Sequence, residues 1–294
     1  MHTVPRGYLA AFAATMSGRR EPALWRFDRT QPNGRLVGLN DAEVAKDIYT
    51  IEGGAGLPSG VIERPILTDA EGGFCTVRES LQSGRVLLPQ DYHALARFLG
   101  YQFVRTPRSL QVDRDELRFR GIPFADDAPQ QLMVALTVYV LEPWLCKMFW
   151  TIGDNRTGVP LITSDHPVTP WKETPERPGV ETGVGFGDRA LQIYCPISPT
   201  MAFIAKHTPE SLDYITGPSS PAGSMPTLAI PSLDRRTMPP AEVRQLNMAC
   251  VTNAERHVYS NTDNIGLRDF LVQFFIGKPA PVRRRDGKPP GSAA

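Results

Sequence analysis

Leu191-Gln192-Ile193-Tyr194-Cys195 and Met201-Ala202-Phe203-Ile204-Ala205, with Pro196-Ile197-Ser198-Pro199-Thr200 between them, decide the fold of this chain. Both runs are short and rich in β-branched, aromatic and other apolar side chains, and the Ser-Pro break marks a turn. Upstream, Lys147–Ile152 and Val159–Thr163 have the same character and are set off by Asp-Asn and Pro punctuation. The region from Leu145 onward therefore reads as a mostly antiparallel sheet.

Working outward, the period changes. Between Pro89 and Pro107, Tyr92, Leu95, Leu99 and Phe103 fall on one helical stripe, and Asp91 near its start favours a helix N-terminus. Gln102 and Arg105 lie beside that stripe, and Pro107 closes the element. A second helix is expected over Pro129–Leu141, ended or kinked by Glu142-Pro143. Pro239-Pro240 opens a final long helix in which Val243, Leu246, Cys250, Ala254 and Val258 recur at three- and four-residue steps, with Asn247 beside them. Near the start, Tyr8–Ala13 suits a short helix, and Leu24–Phe27 and Arg35–Leu39 flank Asn33-Gly34 as a hairpin. Asp47–Ile51 reads as a third short strand and Gly53–Gly60 as a loop. The fold class is α+β: a mostly antiparallel sheet packed with a helical block and a C-terminal helix.

With 294 residues, 41% hydrophobic and 21% charged, the chain has the ordinary globular mix, which excludes collagen-like, coiled-coil and wholly disordered classes. Lys+Arg (32) and Asp+Glu (31) nearly cancel, so net charge gives no argument for nucleic-acid or membrane affinity. The 28 prolines predict many fixed turns and short elements. Residues 1–277 read as a single domain. Residues 278–294, with Lys278, Arg283, Arg284, Arg285 and Lys288 against Asp286, read as a disordered basic Pro/Gly/Arg tail. Cys75, Cys146, Cys195 and Cys250 form no CxxC pair, so reduced structural thiols are expected. Met1–Arg6 carries no secretory pattern, and the longest apolar run, Leu132–Leu141, is far short of the ~20 residues that cross a bilayer. A cytoplasmic location and no membrane partner are expected.

Chemistry concentrates at Thr163-Ser164-Asp165-His166-Pro167, a hydroxyl, a carboxylate and an imidazole at the end of an apolar strand. The same string also reads as a turn in which Ser164 and Asp165 bond local amides. No GxSxG elbow surrounds Ser164, and Asp165 and His166 with His2 or His257 lack metal-ligand spacing, so no metal is expected. Gly183-Val184-Gly185-Phe186-Gly187 precedes a strand where a dinucleotide fingerprint would open a helix, so it reads as a flexible loop. Gln102 and Asn247 each place an amide on an apolar helix face and must be paired if buried. A buried Arg105 needs an acid, and Asp165 is the expected partner.

Several fragments, in order, resemble the family called domain of unknown function 4238. They are His2-Thr3-Val4-Pro5 before Tyr8-Leu9 and Phe12; Leu24-Trp25-Arg26-Phe27-Asp28; Asp47-Ile48-Tyr49; Gln102-Phe103-Val104-Arg105-Thr106-Pro107; Thr163-Ser164-Asp165-His166-Pro167-Val168; Pro196-Ile197-Ser198-Pro199; and Leu246-Asn247 before a helix end at Ala254-Glu255-Arg256-His257-Val258-Tyr259-Ser260. The match spans roughly residues 2 to 260. It departs at the start, where members usually carry a few more residues before the first element, and at the short, Gly/Pro-rich Gly53–Glu79.

The resemblance implies that His2, Gln102, Arg105, Asp165 and Asn247 are motif positions. An imidazole, a carboxylate, two amides and a guanidinium suit acid/base chemistry on an anionic substrate, and equally suit a buried polar network. The first expectation is an enzyme acting on an anionic, phosphate-bearing or nucleic-acid-linked substrate. Arg105 and Arg108 would hold the anion, Gln102, Ser164 and Asn247 would line the substrate, and His2 with Asp165 would transfer protons. Kinship of the family to the fungal arginine-containing cyclodipeptide synthases implies a special form, an aminoacyl-tRNA-dependent cyclodipeptide-type synthase. The other class is a non-catalytic interaction module whose polar network is structural. No cofactor is expected; an anionic small molecule or RNA is the expected partner.

Overall fold

The Ser-Pro break does reverse the chain: β7 (Gln192–Ser198) and β8 (Met201–Lys206) are antiparallel neighbours, joined through Pro199-Thr200. The computed structural model describes residues 4–14, 21–31, 33–42, 67–106, 137–173, 180–182, 187–216 and 229–278. The expected elements at Asp47–Ile51, Gly53–Gly60 and 129–136, most of the Gly183–Gly187 string and the tail beyond Lys278 lie outside the described residues.

Two sheets form. The larger has the order β6-β5-β7-β8-β3-β9, with β3 (Phe149–Asp154), β5 (Thr169–Glu173), β6 (Val180–Thr182) and β9 (Leu233–Thr237). Its pairings are antiparallel except β3 with β9. The smaller has the order β2-β1-β10-β4, with β1 (Ala23–Asp28), β2 (Arg35–Gly38), β4 (Thr163–Ser164) and β10 (His257–Ser260). The β1–β2 hairpin pairs Leu24 with Val37, as the Asn33-Gly34 signal predicts. Gly34 is required there because a Cβ would stand 2.6 Å from Phe27 Cε1.

β7 is buried along almost its whole length, because the larger sheet is a middle layer. Ile193, Cys195, Ile197, Phe203 and Trp150 share one apolar core with the helices on one side. Those helices are α1 (Arg6–Leu9), α2 (Thr68–Gln82), α3 (Pro89–Val104) and α4 (Glu142–Cys146). Tyr194, Ala202, Ile204 and Trp171 belong to a second core with α6 (Pro240–Asn253) and α7 (Ile265–Phe274). A further helix, α5 (Pro209–Thr216), follows β8. Alternation along each strand thus feeds two cores.

α3 matches its predicted span, with Asp91 Oδ2 accepting from Leu88 N at 2.8 Å at its start. Three expectations change. Glu142-Pro143 does not end a helix: a π-helical turn over Thr137–Leu141 runs into α4, where Pro143 occupies the first turn that tolerates it. Buried Glu142 is gripped there by Arg97 Nε at 2.8 Å and Nη2 at 3.2 Å. Val159–Ile162 is loop, and only Thr163–Ser164 is strand. The helix opened by Pro239-Pro240 stops at Asn253 and is not the final one, since α7 follows it, and Val258 lies in β10, paired with Ser164 and Phe27.

Candidate active site

Asp165 leaves β4 at the point where α6 hands over to β10. Its own amide donates to His257 O at 3.1 Å, and its carboxylate accepts from the amides of Glu255 (2.8 Å), Arg256 (2.5 Å) and His257 (2.8 Å). The other side of the same turn is held by buried Arg29, which donates from Nε to Glu255 O at 3.0 Å and from Nη2 to the carbonyls of Val251 and Ala254. The Arg29 guanidinium also lies 4.4 Å over the Phe275 ring. Burial pulls its pKa below the usual guanidinium value, and the charge of Asp165 works against that. Next to this lock, Asp28 accepts from Thr30 N at 2.8 Å and Arg256 Nε at 3.1 Å. Burial would raise its pKa, but the bonds from Thr30 and Arg256 prevail and hold it at about 2.

Ser164 is fully buried, and its Oγ accepts from His166 N at 3.2 Å. It also bonds the Cys250 thiol, which burial pushes up to about 12 despite that bond. A hydroxyl turned into the core like this one is placed to support the strand end. Asn247 is likewise buried, with Oδ1 accepting from Ile162 N at 3.1 Å and Nδ2 donating to Pro160 O at 2.9 Å. It fastens α6 to the segment leading into β4.

A second polar group lies at the C-terminus of α3. With the Gln102 amide turned so that its oxygen faces the guanidinium, that oxygen accepts from Arg105 Nε at 2.8 Å and Nη1 at 3.3 Å. Arg105 points inward, as expected, and is 1% exposed, yet the acid on it is Glu71 of α2, whose Oε1 accepts from Nη1 at 2.8 Å. The expected pairing with Asp165 is replaced because the Asp165 carboxylate is engaged by backbone amides and because α2 packs tightly on α3. A Cβ on Gly73 would come within 3.1 Å of Ala94. The strand end is still close: the ring of Phe103 on α3 lies 6.5 Å from that of His166, which is 6% exposed.

Tyr8 of α1 completes the connections. Its hydroxyl donates to Pro196 O at 2.7 Å and lies 2.7 Å from Thr163 Oγ1, while its ring packs on Phe12, Phe74 and Phe98. Burial pushes the phenol well above its ordinary pKa, so it serves as a neutral hydrogen-bonding post. His2 and Arg108 lie outside the described residues. Among the described residues no three His, Cys, Asp or Glu side chains are grouped to hold a metal ion, and no helix is long and apolar enough to cross a membrane.

Sequence reasoning missed Glu71 and Arg29. Glu71 lies in a helix interrupted by Gly72-Gly73, and Arg29 lies just past a strand in a hairpin, where nothing marks it as buried. Tyr8 and Thr163 lay inside quoted motifs without a role.

Fold and site together define an α+β protein in which a terminal helix, a helix C-terminus and a strand end are tied by buried polar groups around one sheet. A family model for proteins of unknown function (DUF4238) matches residues 1–264, so the chain belongs to that family. No curated protein and no solved structure matches it.

Proposed function

We propose that this protein is an enzyme whose substrate carries an anionic, phosphate-type group, free or on a nucleic acid, and that Arg105 is the anchor for that group. The observation that carries the reading is the Arg105 guanidinium, 1% exposed at the end of α3, steadied by Gln102 and Glu71 beside the strand end that bears His166. A guanidinium held in a fixed orientation suits recognition of a phosphate or carboxylate. Proton transfer then falls to an imidazole, His2 by the family motif. Asp165, with three amides on its carboxylate, suits a positioning role at the turn between α6 and β10. Four thiols with no disulfide suit a reducing cytoplasm.

The test is to purify wild type and Arg105→Met from cells, denature both, and identify released small molecules and RNA by mass spectrometry. A phosphate-bearing species enriched on wild type and absent from the variant supports the reading; equal recovery, or none from either, removes it. The non-catalytic reading is favoured by one observation, that Asp165, Ser164 and Asn247 all bond backbone groups. It gains if nothing is recovered while Asp165→Ala loses its fold.

A further inference from the structure

Arg105 and Glu71 differ sharply in access to solvent. The Arg105 side chain is 1% exposed and the Glu71 side chain 34%, although the two are bonded at 2.8 Å. Solvent, and any ion dissolved in it, therefore meets the carboxylate before the guanidinium. Glu71 also lies in the first turn of α2, where a helix N-terminus favours negative charge from its own side chain or from a ligand. Gln102 holds the guanidinium from the other side, on the same helix as Arg105, so its hold does not depend on Glu71.

From this arrangement we infer that Glu71 is an internal stand-in for the substrate's anionic group: it occupies Arg105 in the empty protein and is displaced when a phosphate-type anion binds. The inference rests on the Arg105 reading of the preceding subsection and adds to it the residue that sets affinity. A carboxylate and a phosphate offer the same paired-oxygen face to a guanidinium, so one can take the place of the other. Because the two compete for one cation, Glu71 weakens binding and filters out anions that cannot outbid a carboxylate. It also keeps a buried charge compensated while the site is empty.

The experiment is calorimetric titration of inorganic phosphate into wild type, Glu71→Gln and Arg105→Met, each first checked for native circular dichroism. Glu71→Gln keeps an acceptor oxygen for Arg105 Nη1 and removes the competing charge, so phosphate should bind about tenfold more tightly than to wild type. Measurable binding to Glu71→Gln beside undetectable binding to wild type is the same result in stronger form. Arg105→Met should not bind; if it does not fold, Arg105→Lys, which keeps the charge without the planar fork, should bind more weakly than wild type. Phosphate binding that is unchanged or weaker in Glu71→Gln, while the Arg105 variants lose it, overturns the stand-in role and leaves the anchor intact. Binding that is absent from wild type and Glu71→Gln alike, or unaffected by either Arg105 variant, overturns the anchor itself.

Discussion

Asp165 and Arg29 grip opposite sides of one turn, the carboxylate accepting the amides of Glu255, Arg256 and His257 while the guanidinium donates to the carbonyls of Val251, Ala254 and Glu255. The turn joins α6 to β10, and β10 is the strand between β1 and β4 in the smaller sheet. Holding it sets the register of the strand end that bears the motif residues.

Asp165→Ala should therefore unfold the protein more easily, by about 3–5 kcal/mol in urea denaturation, because three charge-assisted bonds disappear and three amides are left without that acceptor. Asp165→Asn should lose somewhat less, since one oxygen remains. A double-mutant cycle with Arg29→Ala should show coupling of about 1 kcal/mol or more, as both act on one turn. A change in stability below 1 kcal/mol for Asp165→Ala would return this residue to the catalytic role first assigned to it.

The depressed pKa of Asp28 fixes a pH window. Its folded value, about 2, lies below the ordinary carboxyl value of 3.8, so its contribution to stability is complete above about pH 4 and fades as pH falls toward 2. Asp28→Asn should lower the melting temperature at neutral pH, and the gap from wild type should close in the acid range. A gap that stays constant from pH 7 to pH 2 would contradict the bonds from Thr30 and Arg256 as its cause.

Removal of either partner of the Arg105–Glu71 pair should have unequal effects. Glu71→Ala leaves a guanidinium that is 1% exposed without this acid and should cost about 3 kcal/mol, whereas Arg105→Met leaves a carboxylate that is 34% exposed and can be hydrated. Arg105→Met should cost about 1–2 kcal/mol, and less than Arg105→Ala, because Met keeps the packing of the buried stem. Chemical denaturation of the three variants measures the order; Glu71→Ala milder than Arg105→Met would reverse the account.

Why some of this was legible and some was not follows from the kind of interaction involved. α3 could be read because Leu95 and Leu99 recur on a helical stripe, and Gln102 and Arg105 could be placed inward from that stripe. α2 could not, since Gly72-Gly73 interrupts a helix whose Phe74, Val77 and Leu81 gain their stability from tertiary packing, on α3 and on Tyr8 of α1 among others. With α2 hidden, Glu71, 34 positions from Arg105, could not be named as its partner. The partners of Asp165 are backbone amides, which every residue but proline carries, so no side-chain pattern announces them. The resemblance places a helix end at Ala254–Ser260, and the four-residue step of Cys250, Ala254 and Val258 agrees with it; the Asp165–Arg29 lock ends the helix at Asn253 regardless.

The hairpin offers a prediction that turns on space alone. A Cβ at Gly34 would stand 2.6, 3.0 and 3.1 Å from three atoms of the Phe27 ring, and that ring is fully buried in the core shared with α6. The ring has no room to swing away, so Gly34→Ala must push the β1–β2 hairpin off its packing. Overpacking of this kind should cost about 1–3 kcal/mol and be visible as a lower melting temperature. Gly158→Ala is the matched control, because a Cβ there meets nothing within 4 Å, and its cost should stay within about 0.5 kcal/mol. Phe27→Leu, which shortens the ring side, should recover part of the loss when combined with Gly34→Ala. Equal melting temperatures for Gly34→Ala and Gly158→Ala would show that the hairpin yields and that Phe27 does not fix its turn.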